Sequence, residues 1–558
     1  MKLTFFVAVL VIPSLTRSVL AADRLVPSQY PTIEEAINAS VNMDVVLIDA
    51  GRYTPLATLD LHGKAITLRG AVNSDGTPAT VIDGLGNKRV FQVNSGEGSD
   101  SRFENLRVTG GFASSGGGMW LDTNVSPTIS NCRFESNYAD SRGGGMYLQG
   151  NCNPTLTNCV FESNSAGVEG GGMFLYNYCS PEITNCRFVS NMVSSGTGGG
   201  IHLLMHCNPS ITNCLFSDND AGGGAGALLN YHSSPVIANS VFSSNRASTE
   251  GGGLMFYNHS SPTMTNCLIT SNQAAQGGGI YAVMYASPVL SNCSIYANVA
   301  TGGNGGGMFT IYYASPALTD CLISSNSSAL GGGVSMSYYS SPTLTRCHVI
   351  HNDATTSPES CGGGVYVGVY GCFPLISYCT IRSNSSTAAG GGIWSAATNS
   401  VPNLTNSALC GNDALTGSQV FIDNWINDRN NCIANECSNC DEVGGPPLDT
   451  DGDGQFDSAD NCPAIANPLQ SDCNNNGVGD VCEIAAGAPD FNADTVPDTC
   501  QCLADLFVDH QVNGADLGAL LSQWGPAQSG TVSDINRDGQ VNGADLGYLL
   551  NAWGSCTN

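Results

Sequence analysis

Gly170-Gly171-Gly172-Met173-Phe174-Leu175, Ser180-Pro181-Glu182-Ile183-Thr184-Asn185-Cys186-Arg187-Phe188 and Ser190-Asn191 are successive phrases of one unit. The unit is three glycines, a short apolar run, a proline, Asn-Cys and a closing asparagine. It occurs eleven times between Gly116 and Asn412, with prolines at 127, 154, 181, 209, 235, 262, 288, 316, 342, 374 and 402. The asparagine recurs in every copy, at 137, 164, 191, 219, 245, 272, 298, 326, 352, 384 and 412. A fixed period of this length means a solenoid, in which each repeat covers its neighbours and none folds alone.

The repeats lack the 3.6-residue pattern of Ala, Leu, Glu and Lys that helical repeats need. They alternate with period two, broken by Gly, Pro, Asn and Ser, which is strand punctuated by turns. Two or three short strands per repeat, stacked at ~4.8 Å per coil, make an all-β, right-handed, single-stranded parallel β-helix. Residues after the glycines (Met119, Met146, Met173, Ile201, Leu254, Ile280, Met308, Val334, Val365, Ile393) are expected inside, as are Ile129, Leu156, Ile183 and the Phe134–Phe242 series. The asparagines form an expected buried ladder, each amide bonding its neighbours above and below. The glycine triplets suit a corner that needs positive φ or close contact between coils.

Lys2, the apolar run Leu3–Ile12 and Ala21-Ala22 before Asp23 have the form of a secretory signal peptide, so 1–22 is set apart from the fold. No later stretch is an apolar membrane span. A formal charge of −28 disfavours nucleic acid or an anionic membrane as partner. The chain holds 24 cysteines, which fits an oxidising, extracellular or cell-surface setting. Nine of them form one column: Cys132, Cys159, Cys186, Cys214, Cys267, Cys293, Cys321, Cys347 and Cys379, with Ser240 and Ser407 in its gaps. Buried thiols acting as small hydrophobes, or bonds between adjacent coils, both fit such a column.

Ahead of the repeats, Thr32 and Glu35 stand in capping-box relation at the start of a short helix that closes the solenoid's open end. Residues 23–115 are this cap with the first coils, and 116–431 the repeats. Their Gly-Gly-Gly and Asn-Cys-x-Phe-x-x-Asn motifs resemble the secreted right-handed β-helix proteins of the pectin-lyase-like class, over about residues 25 to 425.

From Cys432 the pattern changes. Between Cys440 and Asn558 lie 19 of the 46 acidic residues against one basic residue, Arg537. Asp449, Asp451, Asp453, Asp457 and Asp460 occupy positions 1, 3, 5, 9 and 12 of a calcium loop, with Gly454 at 6 and the Gln455 carbonyl at 7. The frame returns as Asp472, Asn474, Asn476, Asp480 and Glu483, and again as Asp490, Asn492, Asp494 and Asp498. A solvated acidic linker is the alternative. Asp460-Asn461-Cys462-Pro463, Asn467-Pro468, Gln470 and Gly479-Asp480-Val481-Cys482 resemble a thrombospondin type 3 calcium repeat, which covers 432–502 and implies a Cys462–Cys482 bridge.

Residues 503–558 are duplicated: Val512-Asn513-Gly514-Ala515-Asp516-Leu517-Gly518 recurs as Val541-Asn542-Gly543-Ala544-Asp545-Leu546-Gly547. The second copy has a full loop in Asp534, Asn536, Asp538, Gln540, Asn542 and Asp545, whereas the first has Phe507 and His510 at loop positions 3 and 6. This pair resembles a small α-helical, EF-hand-like type I dockerin, which implies bound Ca2+ and docking to a cohesin-like partner.

The repeats contain no Asn-Thr-Asp, Asp-Asp, Gly-His-Gly or Arg-x-Pro-x-x-Arg, so no catalytic constellation is recognisable and the catalytic residues are unknown. The best ligand-binding candidates form a column three residues before the prolines: Tyr178, His206, His232, His259, Tyr285, Tyr313 and Tyr339. A second aromatic stripe follows the glycines: Trp120, Tyr147, Phe174, His202, Tyr281, Phe309, Tyr366 and Trp394. Such rings suit sugars or protein partners, or serve only to stabilise stacked strands. Two functions follow: a secreted or surface-attached calcium-binding β-helix that binds polysaccharide or a surface protein, or a dockerin-bearing polysaccharide lyase or glycoside hydrolase.

Overall fold

The structure is a computed structural model. It describes residues 21–355, 362–395, 399–422, 430–437, 440, 460–468, 470–474, 476–488, 490, 495–497, 500, 503–506, 511–527, 531–536 and 539–555, the side chains of 229 and 230 excepted. Nearly all of the signal-peptide segment lies outside the described residues.

From Phe112 on, the described coils contain four strands, where the sequence led us to expect two or three; the coils before it have three. In the coil holding Gly170 they are Met173–Tyr176, Glu182–Thr184, Arg187–Val189 and Met192–Val193. Stacking produces four parallel sheets, here numbered I to IV in that order, of 14, 15, 15 and 12 strands. The extra sheet is IV, whose strands are mostly two residues long. Register is strict: Met146, Met173 and Ile201 pair in line along sheet I.

The core is a continuous column because every coil contributes the same positions. Met119, Met146, Met173 and Ile201 are fully buried, as are Phe134, Phe161, Phe188, Phe216 and Phe242. The phenyl rings of that last series stack at 4.7–5.0 Å.

The asparagine ladder stands at the corner between sheets III and IV. Asn245 donates from its backbone N and from Nδ2 to Asn272 Oδ1, both at 2.9 Å, and Nδ2 also reaches the Phe216 carbonyl at 2.9 Å. The pattern repeats from Asn137 to Asn412, where Gln419 Oε1 takes the last Nδ2 at 2.7 Å. Every rung is buried, so no amide is left to the apolar interior without a partner.

The first glycine of the triplet turns the chain: Gly170 has φ +65°, and a Cβ on Gly172 would lie 2.6 Å from the carbonyl of Gly200 in the next coil. The cysteines of the main column are buried thiols, and so are Cys152, Cys179 and Cys207. Their sulfurs turn to backbone carbonyls, as Cys159 does to Thr157 at 3.4 Å.

The N-terminal end is closed by α1 (Ile33–Ala39), whose Thr32 cap accepts a hydrogen bond from Glu35 N and whose Ile33, Ala36 and Ile37 face the core. At the other end, Cys432–Ala434 pairs with Ala408–Cys410, carrying the solenoid past residue 431. Disulfides Cys410–Cys437 and Cys432–Cys440 fasten that last turn.

Further on, Cys462–Cys482 forms the bridge implied by the thrombospondin-like motif, and Cys473–Cys500 adds one that the sequence did not indicate. Three helices follow: α2 (Asp480–Ala485), α3 (Gly514–Ser522) and α4 (Gly543–Asn551). The last two are capped alike by Asn513 with Asp516 and by Asn542 with Asp545, as their duplicated sequence requires. They enclose a small core of Val512, Leu520, Val541 and Leu549. No described helix is long and apolar enough to cross a membrane.

Candidate functional site

The turn between sheets I and II carries the first aromatic column. In the coil of Gly170 two successive residues there, Asn177 and Tyr178, are left-handed at φ +62° and +64°. Two left-handed residues reverse the chain outward and present the second side chain to solvent. Where the column begins it holds Asn124 and Asn151, residues that tolerate this backbone. From Tyr178 on it holds rings instead, at φ +60° for His206, +49° for His232, +62° for His259, +62° for Tyr285, +64° for Tyr313 and +63° for Tyr339.

These seven rings form one ladder. Successive centroids are 5.1, 6.1, 6.0, 5.0, 5.0 and 4.9 Å apart from Tyr178 to Tyr339, and all but the His206–His232 step are stacked. Stacking covers the faces, so ring edges, phenol hydroxyls and imidazole nitrogens meet the solvent. Tyr178, Tyr285, Tyr313 and Tyr339 are 57, 51, 46 and 49% exposed.

The break at His232 has a local cause: this turn is one residue shorter than its neighbours, with Tyr231 directly before it. His232 Nε2 lies 2.9 Å from Asn258 Nδ2, which also reaches the Tyr231 hydroxyl at 3.3 Å. Partial burial, then the neighbouring His259 and His206 imidazoles, lower the His232 pKa.

Sequence analysis missed a parallel column one residue earlier. Tyr312 and Tyr338 lie tilted at 5.0 Å, and Tyr338 stacks on Tyr370 at 4.8 Å, beside Tyr313 and Tyr339. The doublets Tyr312-Tyr313 and Tyr338-Tyr339 were its signal. On the proline side runs a rail of serines, each hydroxyl accepting the next coil's backbone N–H, as Ser234 does from Ser261 at 3.0 Å and Ser315 from Ser341 at 3.1 Å.

The second stripe is not a surface. Phe174, His202, Tyr281 and Phe309 are buried, and Tyr147 is only 6% exposed. The loops between sheets IV and I fold over them: Arg142 lies 5.2 Å above the Phe174 ring, and Thr197 Oγ1 meets His202 Nδ1 at 3.2 Å. Burial pushes the His202 pKa down to about 4 and that of Tyr147 up to about 12. The middle of this column is therefore core packing, whereas Trp120, Tyr366 and Trp394 toward its ends are half-buried.

Carboxylates of the solenoid do not assemble into an acid–base pair among the described residues. Asp218 and Asp220 are exposed. Asp320 is bound by Arg346 through two nitrogens at 2.6 and 2.7 Å.

Of the expected calcium ligands, Asp449, Asp451, Asp453, Gln455, Asp457, Asn492, Asp494, Asp498 and Asp538 lie outside the described residues. The structure does gather Asp472, Asn474, Asn476 and Glu483. Asp472 accepts from Gly477 N at 2.8 Å, and the Asn474 and Asn476 amides reach Glu483 at 3.1 and 2.8 Å. Asp480 instead accepts from Cys473 N at 2.9 Å. Asp490 accepts from Thr495 N at 3.1 Å, and Asp460 from Cys462 N at 2.7 Å.

In the last loop, Asp534 accepts from Gly539 N at 3.0 Å and the buried Asp545 from Asn536 N at 3.2 Å. Asn542 caps α4 through Ala544 N at 2.8 Å, and Gln540 lies in the short pairing with Pro526. In both loops the first and twelfth side chains close on the loop's middle, Asp472 and Glu483 on Asn476, Asp534 on Gly539 and Asp545 on Asn536.

The model described as the right handed beta helix region matches residues 86–188, 166–300 and 275–436, more than half of the chain. The chain belongs to the right-handed β-helix family. No curated protein matches its sequence. Among solved structures it is similar to the A-module of mannuronan C-5 epimerase AlgE4 from Azotobacter vinelandii, at 14% identity over 70% of this chain and 90% of that one, TM-score 0.33. It is similar to a mannuronic acid specific family 6 polysaccharide lyase from human gut microbiota, at 13% identity over 72 and 82%, TM-score 0.32. A third similarity is to pectate lyase Pel9A, at 12% identity over 77 and 82%, TM-score 0.21. At these identities and scores the similarities carry no functional weight.

Proposed function

We propose that this β-helix binds polysaccharide along the turn between sheets I and II, and that calcium orders its C-terminal segment. The observation that supports the first part is the left-handed ladder itself. A bulky residue in that backbone region costs ~1–2 kcal/mol, and a stacked aromatic pair returns only ~0.5–1.5 kcal/mol. Stacking alone therefore does little more than break even, whereas asparagine, as at 124 and 151, fills the same turn without strain. Strain held where packing does not demand it points to use. A row of identical edges at a constant interval can be engaged at every step only by a ligand that itself repeats, which a polysaccharide does.

The oxygen-rich loops Asp472–Glu483 and Asp534–Asp545 support the calcium part, and the sequence frames that begin at Asp449 and Asp490 complete the set. The duplicated module at 503–558 is the proposed attachment point. It exposes Leu521, Leu550, Trp524 and Trp553 in equivalent pairs, a surface fit for a cohesin-like partner. Disulfides are compatible with an extracellular setting.

Affinity electrophoresis of the full-length protein through gels containing a panel of polysaccharides tests the binding, with product release followed in the same samples. Retardation without new products is expected, and it should vanish in Tyr285→Ala/Tyr313→Ala with the circular-dichroism spectrum unchanged. Release of oligosaccharides would replace this proposal with the lyase or hydrolase alternative.

A further inference from the structure

We infer that the polysaccharide is a neutral one; this rests on the binding proposed for the aromatic turn. The seven turns of the ladder, at 176–181, 204–209, 231–235, 257–262, 283–288, 311–316 and 337–342, contain no Asp, Glu, Lys or Arg. The adjoining outer face of sheet II continues the pattern. From Ser210–Thr212 through Thr263–Thr265 to Leu375–Ser377, its strands carry only serine, threonine, alanine and aliphatic side chains. The result is a strip of phenol hydroxyls, imidazoles, serines and threonines whose seven turns hold no carboxylate, lysine or arginine, on a protein of formal charge −28.

Glu182 stands exposed on the outer face of sheet II just after the Tyr178 turn and is itself negative; the other charged side chains of these coils lie away from the strip. Asp218, Asp220, Arg246 and Glu250 sit on or beside sheet IV, and Asp320 and Arg346 are paired at 2.6 Å on the far edge of sheet II. Arg142 is engaged by Glu169 at 2.6 Å, and Arg187 lies on sheet III.

A uronate or sulfated chain laid on this strip would lose hydration at each charge and find no cation in return, against a net negative field. A neutral chain meets the opposite situation. Its hydroxyls exchange water for phenol and serine hydroxyls, and its apolar ring hydrogens pack against ring edges and the exposed Met205 and Met284, which are 43 and 39% exposed. Carboxylate-bearing chains are therefore the ones this strip disfavours.

The test pairs polymers that share a backbone and differ in charge: hydroxyethyl cellulose with carboxymethyl cellulose, and galactomannan with alginate as a second pair. Full-length protein in calcium buffer is run in affinity gels and titrated with each. At least one neutral polymer should bind about tenfold or more tightly than its charged counterpart, with no change between about 50 and about 500 mM NaCl. Tyr285→Ala/Tyr313→Ala should abolish that binding. Should this variant misfold, Tyr285→Phe/Tyr313→Phe keeps the rings, removes two hydroxyls and should still weaken it. Equal or tighter binding of the charged polymers, lost in the variants, would overturn neutrality while leaving the turn as the binding surface. Binding that the variants leave intact, or no binding to any polymer, would remove the turn from consideration and this inference with it.

Discussion

Replacing Asn272 by leucine takes one rung out of the buried ladder. Asn272 Oδ1 accepts from Asn245 N and Asn245 Nδ2, each at 2.9 Å, and its own Nδ2 donates to the Phe242 carbonyl at 2.8 Å and Asn298 Oδ1 at 3.0 Å. In the variant, Asn245 N loses its acceptor, Asn245 Nδ2 keeps only Phe216, and the Phe242 carbonyl loses its side-chain donor. Orphaning a buried polar group costs ~1–3 kcal/mol. With Asn245 N and the Phe242 carbonyl both left short, the loss comes to about 2–6 kcal/mol. If coils melt in blocks of about 150–250 residues, that is a fall of roughly 4–24 °C in Tm, followed by circular dichroism. Asn266→Gly is the control: Asn266 is half-buried at φ +52°, where glycine is at ease, and it gives up only one solvent-accessible amide bond, to Asn239 Oδ1 at 3.2 Å, so a change of no more than about 1 kcal/mol is expected there. An unchanged Tm in Asn272→Leu would refute the claim that the ladder is buried and mutually satisfied.

Other outcomes follow from the same geometry. Burial holds the His202 and His348 pKa values at about 4 against 6.5 for the exposed ring, so the unfolded chain takes up protons first as pH falls. Stability is then full above pH ~6.5 and declines toward pH ~4, by up to about 3 kcal/mol for each histidine, and His202→Leu should flatten that slope in a melt series. The 13 described free cysteines are buried, with Cys132 pushed up to about 12, so thiol reagents should label them only after denaturation. The 27-residue link Cys410–Cys437 should supply roughly 3.5 kcal/mol by chain entropy, and Cys410→Ser/Cys437→Ser should open the last coil to protease before the rest. Chelation of the full-length protein should expose 440–558 to protease while the solenoid resists. Calorimetry that detects no calcium uptake at about millimolar concentration would remove the calcium loops.

How much of this was legible depends on whether a position repeats. Asn137 to Asn412, the phenylalanine column and the thiol column could be placed from spacing alone, because each coil imposes the same environment on the same register. Sheet IV was not legible: strands as short as Ser165–Ala166 and Ser327–Ser328 leave no alternation to detect. The second aromatic stripe misled for a related reason. It alternates as an outer face would, but the variable loops around Arg142 and Thr197 fold over it, and such loops carry no period. Cystine pairing beyond Cys462–Cys482 was closed to sequence, since spacing does not fix connectivity. The Tyr312, Tyr338 and Tyr370 column was present in the sequence, one position beside the column that was followed.

Hydroxyl-radical footprinting of the full-length protein, with and without saturating galactomannan or hydroxyethyl cellulose, tests the binding surface most directly. Tyr285, Tyr313 and Tyr339 should be protected by the bound chain, while Tyr296 on sheet III and Tyr378 on the turn between sheets II and III, comparably exposed at 43 and 48%, should not change. Protection of Tyr296 or Tyr378 with the ladder unchanged would contradict the account.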